Sequence, residues 1–109
     1  MGEDLHSHIT EVWEEDDVPM INEDGAFIWL KNGLYHRDGD MPAVILANGD
    51  QKWYQNDLCH RDNDLPAVVF ADGSKRWFKR GLLHRDNGKP AVIFTDGSGV
   101  CYRDGKMIR

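Results

Sequence analysis

The tripeptide His-Arg-Asp stands at residues 36–38, 60–62 and 84–86, each copy 24 residues after the last. Pro-Ala-Val keeps the same interval at 42–44, 66–68 and 90–92. So do Trp29, Trp53 and Trp77, and the glycines Gly25, Gly49, Gly73 and Gly97. A fixed period of this length marks a repeat architecture, in which no unit buries its apolar face alone and each stacks on its neighbours. Three full units follow, 26–49, 50–73 and 74–97, flanked by partial caps at 18–25 and 98–109. Residues 1–17 lie before the repeats and form an acidic N-terminal arm; residues 18–109 form the array.

Each unit carries two turn signals. Asp24-Gly25, Asn48-Gly49, Asp72-Gly73 and Asp96-Gly97 read as two-residue hairpin turns. Asn32-Gly33, Asn56-Asp57, Arg80-Gly81 and Asp104-Gly105 form the second set. Short runs rich in Val, Ile, Phe, Tyr and Trp lie between them and favour strands. The expected fold is therefore all-β: tandem β-hairpins forming an elongated, twisted antiparallel sheet. Two-residue loops would set Val44 opposite Trp53, Ala43 opposite Tyr54, and Tyr54 opposite Cys59. One face would then hold Val44, Leu46, Trp53, Leu58 and His60 as core. The other would hold Ala43, Ile45, Lys52, Tyr54 and Cys59 as a working surface. Proline cannot donate to a ladder, so Pro42, Pro66 and Pro90 mark a bulge or a strand start. The bulge is favoured, with two strands per unit.

The net charge of −6 conceals a split. Residues 1–24 hold nine acids and no Lys or Arg, whereas residues 25–109 hold ten acids and thirteen basic residues. The arm is thus strongly acidic and the repeats mildly basic, an asymmetry that bears on partners. Ile9, Val12 and Trp13 have helical spacing beside Glu11, Glu14, Glu15, Asp16 and Asp17, so this segment could dock on a protein. A solvating tail, or an arm folded over its own repeats, are the other readings. No apolar run reaches membrane-spanning length, and no basic-then-apolar leader opens the chain, so a cytoplasmic location is expected. Cys59 and Cys101 occupy slots otherwise filled by large apolar residues and read as free thiols.

His-Arg-Asp also occurs in kinase catalytic loops, but the phosphate loop, strand lysine and Asp-Phe-Gly that such an enzyme needs are missing from the sequence. The bland reading has Asp38, Asp62 and Asp86 accepting turn amides and each Arg pairing locally. Equivalent histidines two strands apart stand about 10 Å from one another. His36, His60 and His84 therefore cannot converge on one zinc ion, and each is expected to sit beside its Trp and bond a carbonyl. No catalytic residue, metal or cofactor is expected. The third unit concentrates positive charge, and Arg76, Phe78 and Arg80 outline a basic-aromatic patch. Such a patch suits phosphate, a lipid headgroup or an acidic protein surface, and charge protecting a sheet edge is the plain alternative.

Trp53-Tyr54-x-Asn56-x-Leu58, followed by His60 and Asp72-Gly73, resembles the MORN repeat (membrane occupation and recognition nexus). The resemblance covers about 85 residues, from near Asp24 to Arg109. It departs in the Arg-Asp-x-x-x-Pro-Ala-Val block, which resembles a divergent subtype common in phage, large-virus and bacterial proteins. The resemblance implies a ribbon of hairpins with a binding or scaffolding role and no catalytic residues. The expected function is a non-enzymatic protein-binding module, a phage-encoded inhibitor or adaptor acting on a host protein through its acidic arm and one sheet face. Its expected binding residues are Glu11, Trp13, Glu14, Glu15, Asp16, Asp17, Tyr54, Arg76, Phe78 and Arg80. Alternatives are binding of phosphate, lipid headgroup or nucleotide at the basic-aromatic patch, or a structural scaffold. Direct nucleic-acid binding is disfavoured, although the arm could imitate its charge, and edge-to-edge homodimerisation stays open.

Overall fold

Each unit turns twice, and the backbone of the first turn residue decides what each turn does. At Asn32-Gly33, Asn56-Asp57, Arg80-Gly81 and Asp104-Gly105 both residues have positive φ, between 50° and 86°. That is the two-residue loop whose twist matches the flanking strands. Tyr54 accordingly faces Cys59, as the sequence predicts. At the other turns only the glycine is left-handed, as with Gly49 at φ 100°. There the Gly49 amide donates to the Leu46 carbonyl at 2.9 Å, and the Leu46 amide donates to Asp50 at 2.9 Å. Residues 47–49 thus make a three-residue loop, not the expected two-residue one. The pattern recurs at Phe70, Gly73 and Ser74 and at Phe94, Gly97 and Ser98. Val44 consequently faces Lys52 rather than Trp53.

A computed structural model describes residues 17–108, and the elements within them are all strands. The cap contributes β1 (Met20–Ile21). The first unit contributes β2 (Phe27–Ile28), β3 (Leu30–Lys31), β4 (Leu34–Tyr35) and β5 (Val44–Ile45). The second repeats them as β6 (Gln51–Lys52), β7 (Tyr54–Gln55), β8 (Leu58–Cys59) and β9 (Val68–Val69). The third gives β10 (Lys75–Arg76), β11 (Phe78–Lys79), β12 (Leu82–Leu83) and β13 (Val92–Ile93), before β14 (Gly99–Arg103) and β15 (Lys106–Ile108). One open nine-stranded antiparallel sheet runs β1-β2-β5-β6-β9-β10-β13-β14-β15. Beside it, β3-β4, β7-β8 and β11-β12 each form a small hairpin. The molecule is elongated, 64 × 25 × 24 Å.

The favoured bulge is not what forms. Residues 36–43 are a loop that carries the chain from a small hairpin back to the long sheet, and 60–67 and 84–91 repeat it. Consecutive left-handed residues bend the loop: Gly39 and Asp40 at φ 79° and 57°, Asn63 and Asp64 at 65° and 57°, Asn87 and Gly88 at 66° and 69°. Gly, Asn and Asp tolerate that conformation best, and the following proline, lacking N–H, releases the chain from the ladder.

Trp29, Trp53 and Trp77 sit where β2-β3, β6-β7 and β10-β11 step from the long sheet into a small hairpin, and each is buried. Val44, Val68 and Val92 are buried as well, and Ala43, Ala67 and Ala91, whose carbonyls accept the Trp29, Trp53 and Trp77 amides, are wholly enclosed. The expected division into a core face and a working face is therefore wrong in two places. Ala43, assigned to the working surface, is among the most deeply buried residues, and Leu58, assigned to the core, is 48% exposed. The 47–49 loop moves the partner of Val44 from Trp53 to Lys52, whereas the Asn56-Asp57 turn keeps the expected register. Leu58 is exposed where β7-β8 leaves the long sheet as a separate hairpin.

Candidate functional site

The repeated tripeptide is engaged within the array, and the Arg is its centre. The guanidinium carbons of Arg37, Arg61 and Arg85 lie 3.7, 3.8 and 3.8 Å from the ring centroids of Trp29, Trp53 and Trp77. Their Nη1 groups donate to the carbonyls of Pro42, Pro66 and Pro90 at 3.1–3.2 Å. Their Nε groups reach back to the preceding register and pair with Asp17, Asp40 and Asp64 at 2.8–2.9 Å. The same aspartates accept the indole N–H groups through their backbone carbonyls, at 2.9–3.1 Å. One aspartate thus holds both members of a cation–π pair in the next register. This corrects the expectation that Arg pairs locally: its carboxylate comes from the preceding unit.

The histidines stitch in the other direction. Nε2 of His36, His60 and His84 donates to Asp38, Asp62 and Asp86 at 2.7–2.8 Å. Nδ1 accepts the backbone N–H of Asn56, Arg80 and Asp104 in the following hairpin, at 3.0–3.1 Å. A backbone amide can only donate, so Nδ1 is unprotonated and the ring is the Nε2–H tautomer. The expected carbonyl partner is therefore replaced by an aspartate on one side and an amide on the other. Asp38, Asp62 and Asp86 likewise accept from histidine rather than from turn amides.

These contacts mark the acids electrically. Two donors from Arg85, joined by Lys89, hold the Asp64 carboxyl down at about 2, and Arg61 lowers that of Asp40 in the same way. Hydrogen bonds from His36 and His84 lower Asp38 and Asp86. Burial pushes the Cys59 thiol up to about 11, away from the reactive thiolate, and both cysteines are free. No cluster of three or more His, Cys, Asp or Glu side chains suited to a metal ion occurs among the described residues.

The small hairpins present a different surface. The amides of Asp57, Gly81 and Gly105 each donate to a carbonyl of the preceding hairpin (Tyr35, Cys59 and Leu83) at 2.8 Å, so the hairpins stack into a ladder. Equivalent positions carry Leu34, Leu58 and Leu82, exposed by 37, 48 and 49%. Two grooves open between rungs. One, about 310 Å³, is lined by residues including Leu58, His60 and Arg80; the other, about 250 Å³, by Lys79, Arg80, Leu82, His84 and Asp104. They are repeat-equivalent, and Arg80 borders both. A further groove of about 220 Å³ adjoins the Arg61 staple.

Glu11, Trp13, Glu14, Glu15 and Asp16 lie outside the described residues. Asp17 occupies the acceptor position of the first staple rather than standing free for a partner. Tyr54 packs in the ladder, its ring 5.2 Å from that of Tyr35, and burial raises its hydroxyl pKa. The basic-aromatic trio is divided. Arg76 lies in the long sheet with its guanidinium 5.1 Å from the centroid of Phe70. Phe78 faces Leu83 in the small hairpin, and Arg80 is at its tip with φ 52°. Sequence reasoning missed Leu58 and Leu82 as surface residues and Asp40 and Asp64 as staple acceptors. The leucines were findable by reading the 24-residue register as rows. Comparison with family models, characterised proteins and solved structures gave no match.

Proposed function

We propose that the chain is a non-enzymatic protein-binding module whose binding face is the hairpin ladder. The observation that carries this is the row Leu34, Leu58 and Leu82, left substantially exposed in one register with Lys79 and Arg80 beside it. Large apolar side chains repeated along a rigid surface, with polar groups around them, suit a protein interface. The inward engagement of His-Arg-Asp supports a scaffold role for the tripeptide rather than chemistry. The MORN-like character of the units belongs to the same proposal, as does action as an inhibitor or adaptor on a host protein. Capture from cell lysate tests it, comparing the wild-type chain with Leu58→Asp/Leu82→Asp after both show the same circular dichroism. Proteins retained by the wild type and by Arg76→Glu, but lost by the leucine variant, are the expected result. Identical capture by wild type and leucine variant would remove the ladder as the binding face.

A further inference from the structure

The geometry points to a specific partner for the ladder: an acidic amphipathic helix laid along the array, with apolar residues at heptad spacing entering successive grooves. This rests on the ladder being the binding face and specifies what that face recognises.

Pitch comes first. Each unit adds two strands to the long sheet, so equivalent side chains recur about every 10 Å along it. A helix rises about 1.5 Å per residue, so side chains seven residues apart stand about 10.5 Å apart on nearly the same face. A β-strand covers a similar distance in about three residues, but an odd step turns its side chain to the opposite face. A helix can therefore fill both grooves in register, and a strand cannot. The grooves at Leu58 and Leu82, one repeat apart, are the two sockets.

Charge comes second. The three small hairpins and the β14-β15 hairpin carry the cations Lys31, Lys79, Arg80, Arg103 and Lys106 against the acids Asp57 and Asp104. Lys31 is paired with Asp38 at 3.4 Å, and Asp62, bound by His60, also lines the first groove. Asp57 is already occupied, accepting the Tyr35 amide at 2.6 Å, whereas the Asp104 carboxylate lines the second groove. Arg80 borders both grooves and is free of the Trp–Arg staples, all of which use Arg37, Arg61 and Arg85. A helix whose apolar stripe is flanked by Glu or Asp therefore meets leucine with leucine and carboxylate with Lys79 and Arg80. Polyanions lacking an apolar stripe would use the cations and leave the leucines in water.

The test titrates two synthetic helical peptides into the isotope-labelled full chain, followed by amide chemical shifts. One is glutamate-rich with leucines at heptad spacing; the other has the same composition with its leucines scattered around the helix. The heptad peptide should bind, shifting Leu58, Arg80 and Leu82, and the scattered peptide should bind about tenfold more weakly or worse. Leu58→Asp/Leu82→Asp, with unchanged melting temperature, should abolish the difference between the peptides. Equal binding of both peptides, or shifts confined to the long sheet, would overturn the proposal. It would also fall if Ile9→Ser/Val12→Ser/Trp13→Ser, with no peptide added, moved the same ladder signals, because the chain's own arm would then be the occupant. Ladder-dependent capture from lysate with no heptad preference would defeat the helix alone and leave the protein-binding function standing.

Discussion

Arg61→Ala should cost about 3 kcal/mol of folding stability, although Arg61 touches no ligand. The guanidinium sits 3.8 Å from the Trp53 ring centroid with its side chain only 16% exposed. A desolvated cation–π contact of this kind contributes about 1–2 kcal/mol. The hydrogen bond to the Pro66 carbonyl, 3.1 Å and partly buried, adds about 1 kcal/mol, since the carbonyl loses its charged donor. The two bonds to Asp40, at 2.9 and 3.2 Å, are discounted because the Asp40 side chain is half exposed to water; about 0.5 kcal/mol is left. For a domain of this size the sum corresponds to a melting shift of roughly 15 °C. Thermal and urea denaturation, followed by circular dichroism and tryptophan fluorescence, measures it. Arg61→Lys should recover less than half, because lysine keeps the charge and loses the planar stack and the fork. A loss below about 1 kcal/mol for Arg61→Ala, or full rescue by lysine, would refute the staple as a major source of stability.

Acid should loosen the array through its lowered carboxyls. The Asp64 carboxyl falls from 3.8 in the open chain to about 2, so its contribution is complete above about pH 4 and disappears as pH falls towards 2. Asp64→Asn should flatten that part of a stability-against-pH curve; an unchanged slope would contradict it. Long-range proton–nitrogen spectra at neutral pH should show His36, His60 and His84 as the Nε2–H tautomer, and an Nδ1–H signal would contradict the stitching. Gly99→Ala should destabilise by about 1–3 kcal/mol, because an added methyl would stand 2.7 Å from Cβ of Pro90 and 2.8 Å from the Val92 carbonyl oxygen. Unaltered urea midpoints would show that β14 can shift at no cost. Cys59 should resist alkylation at pH 8 in the folded chain, its thiol being held near 11 by burial; rapid labelling would contradict that.

The period was legible in the sequence because Trp, His-Arg-Asp and Pro-Ala-Val repeat without insertion. Burial of Trp29, Trp53 and Trp77 and the two-residue turn at Asn56-Asp57 were legible for the same reason. The loop at Asn48-Gly49 was not. Both loop lengths place Gly in the left-handed region, and they differ in the φ of Asn48, which residue type does not fix. That ambiguity set Val44 opposite Trp53 instead of Lys52. The exposure of Leu58 has another source, the departure of β7-β8 from the long sheet just after Trp53. The staple was half legible. Trp and Arg share one unit, but their acceptors Asp40 and Asp64 lie 21 residues before the Arg they bind, in a Gly/Asn-Asp pair that reads as an ordinary turn. At the first register Asp17 takes this part from the acidic segment, where composition alone made it one charge among nine.

Amide hydrogen exchange at Asn56, Arg80 and Asp104 tests most directly whether the repeated tripeptide ties unit to unit. Arg80 is an exposed residue at a hairpin tip, where an amide facing water would exchange at close to the free rate. With its N–H bonded to Nδ1 of His60, slow exchange is predicted, and His60→Ala should release Arg80 while leaving Asp104 protected. Fast exchange at Arg80 in the wild-type chain, or protection unchanged in His60→Ala, would contradict the inter-unit role of His-Arg-Asp.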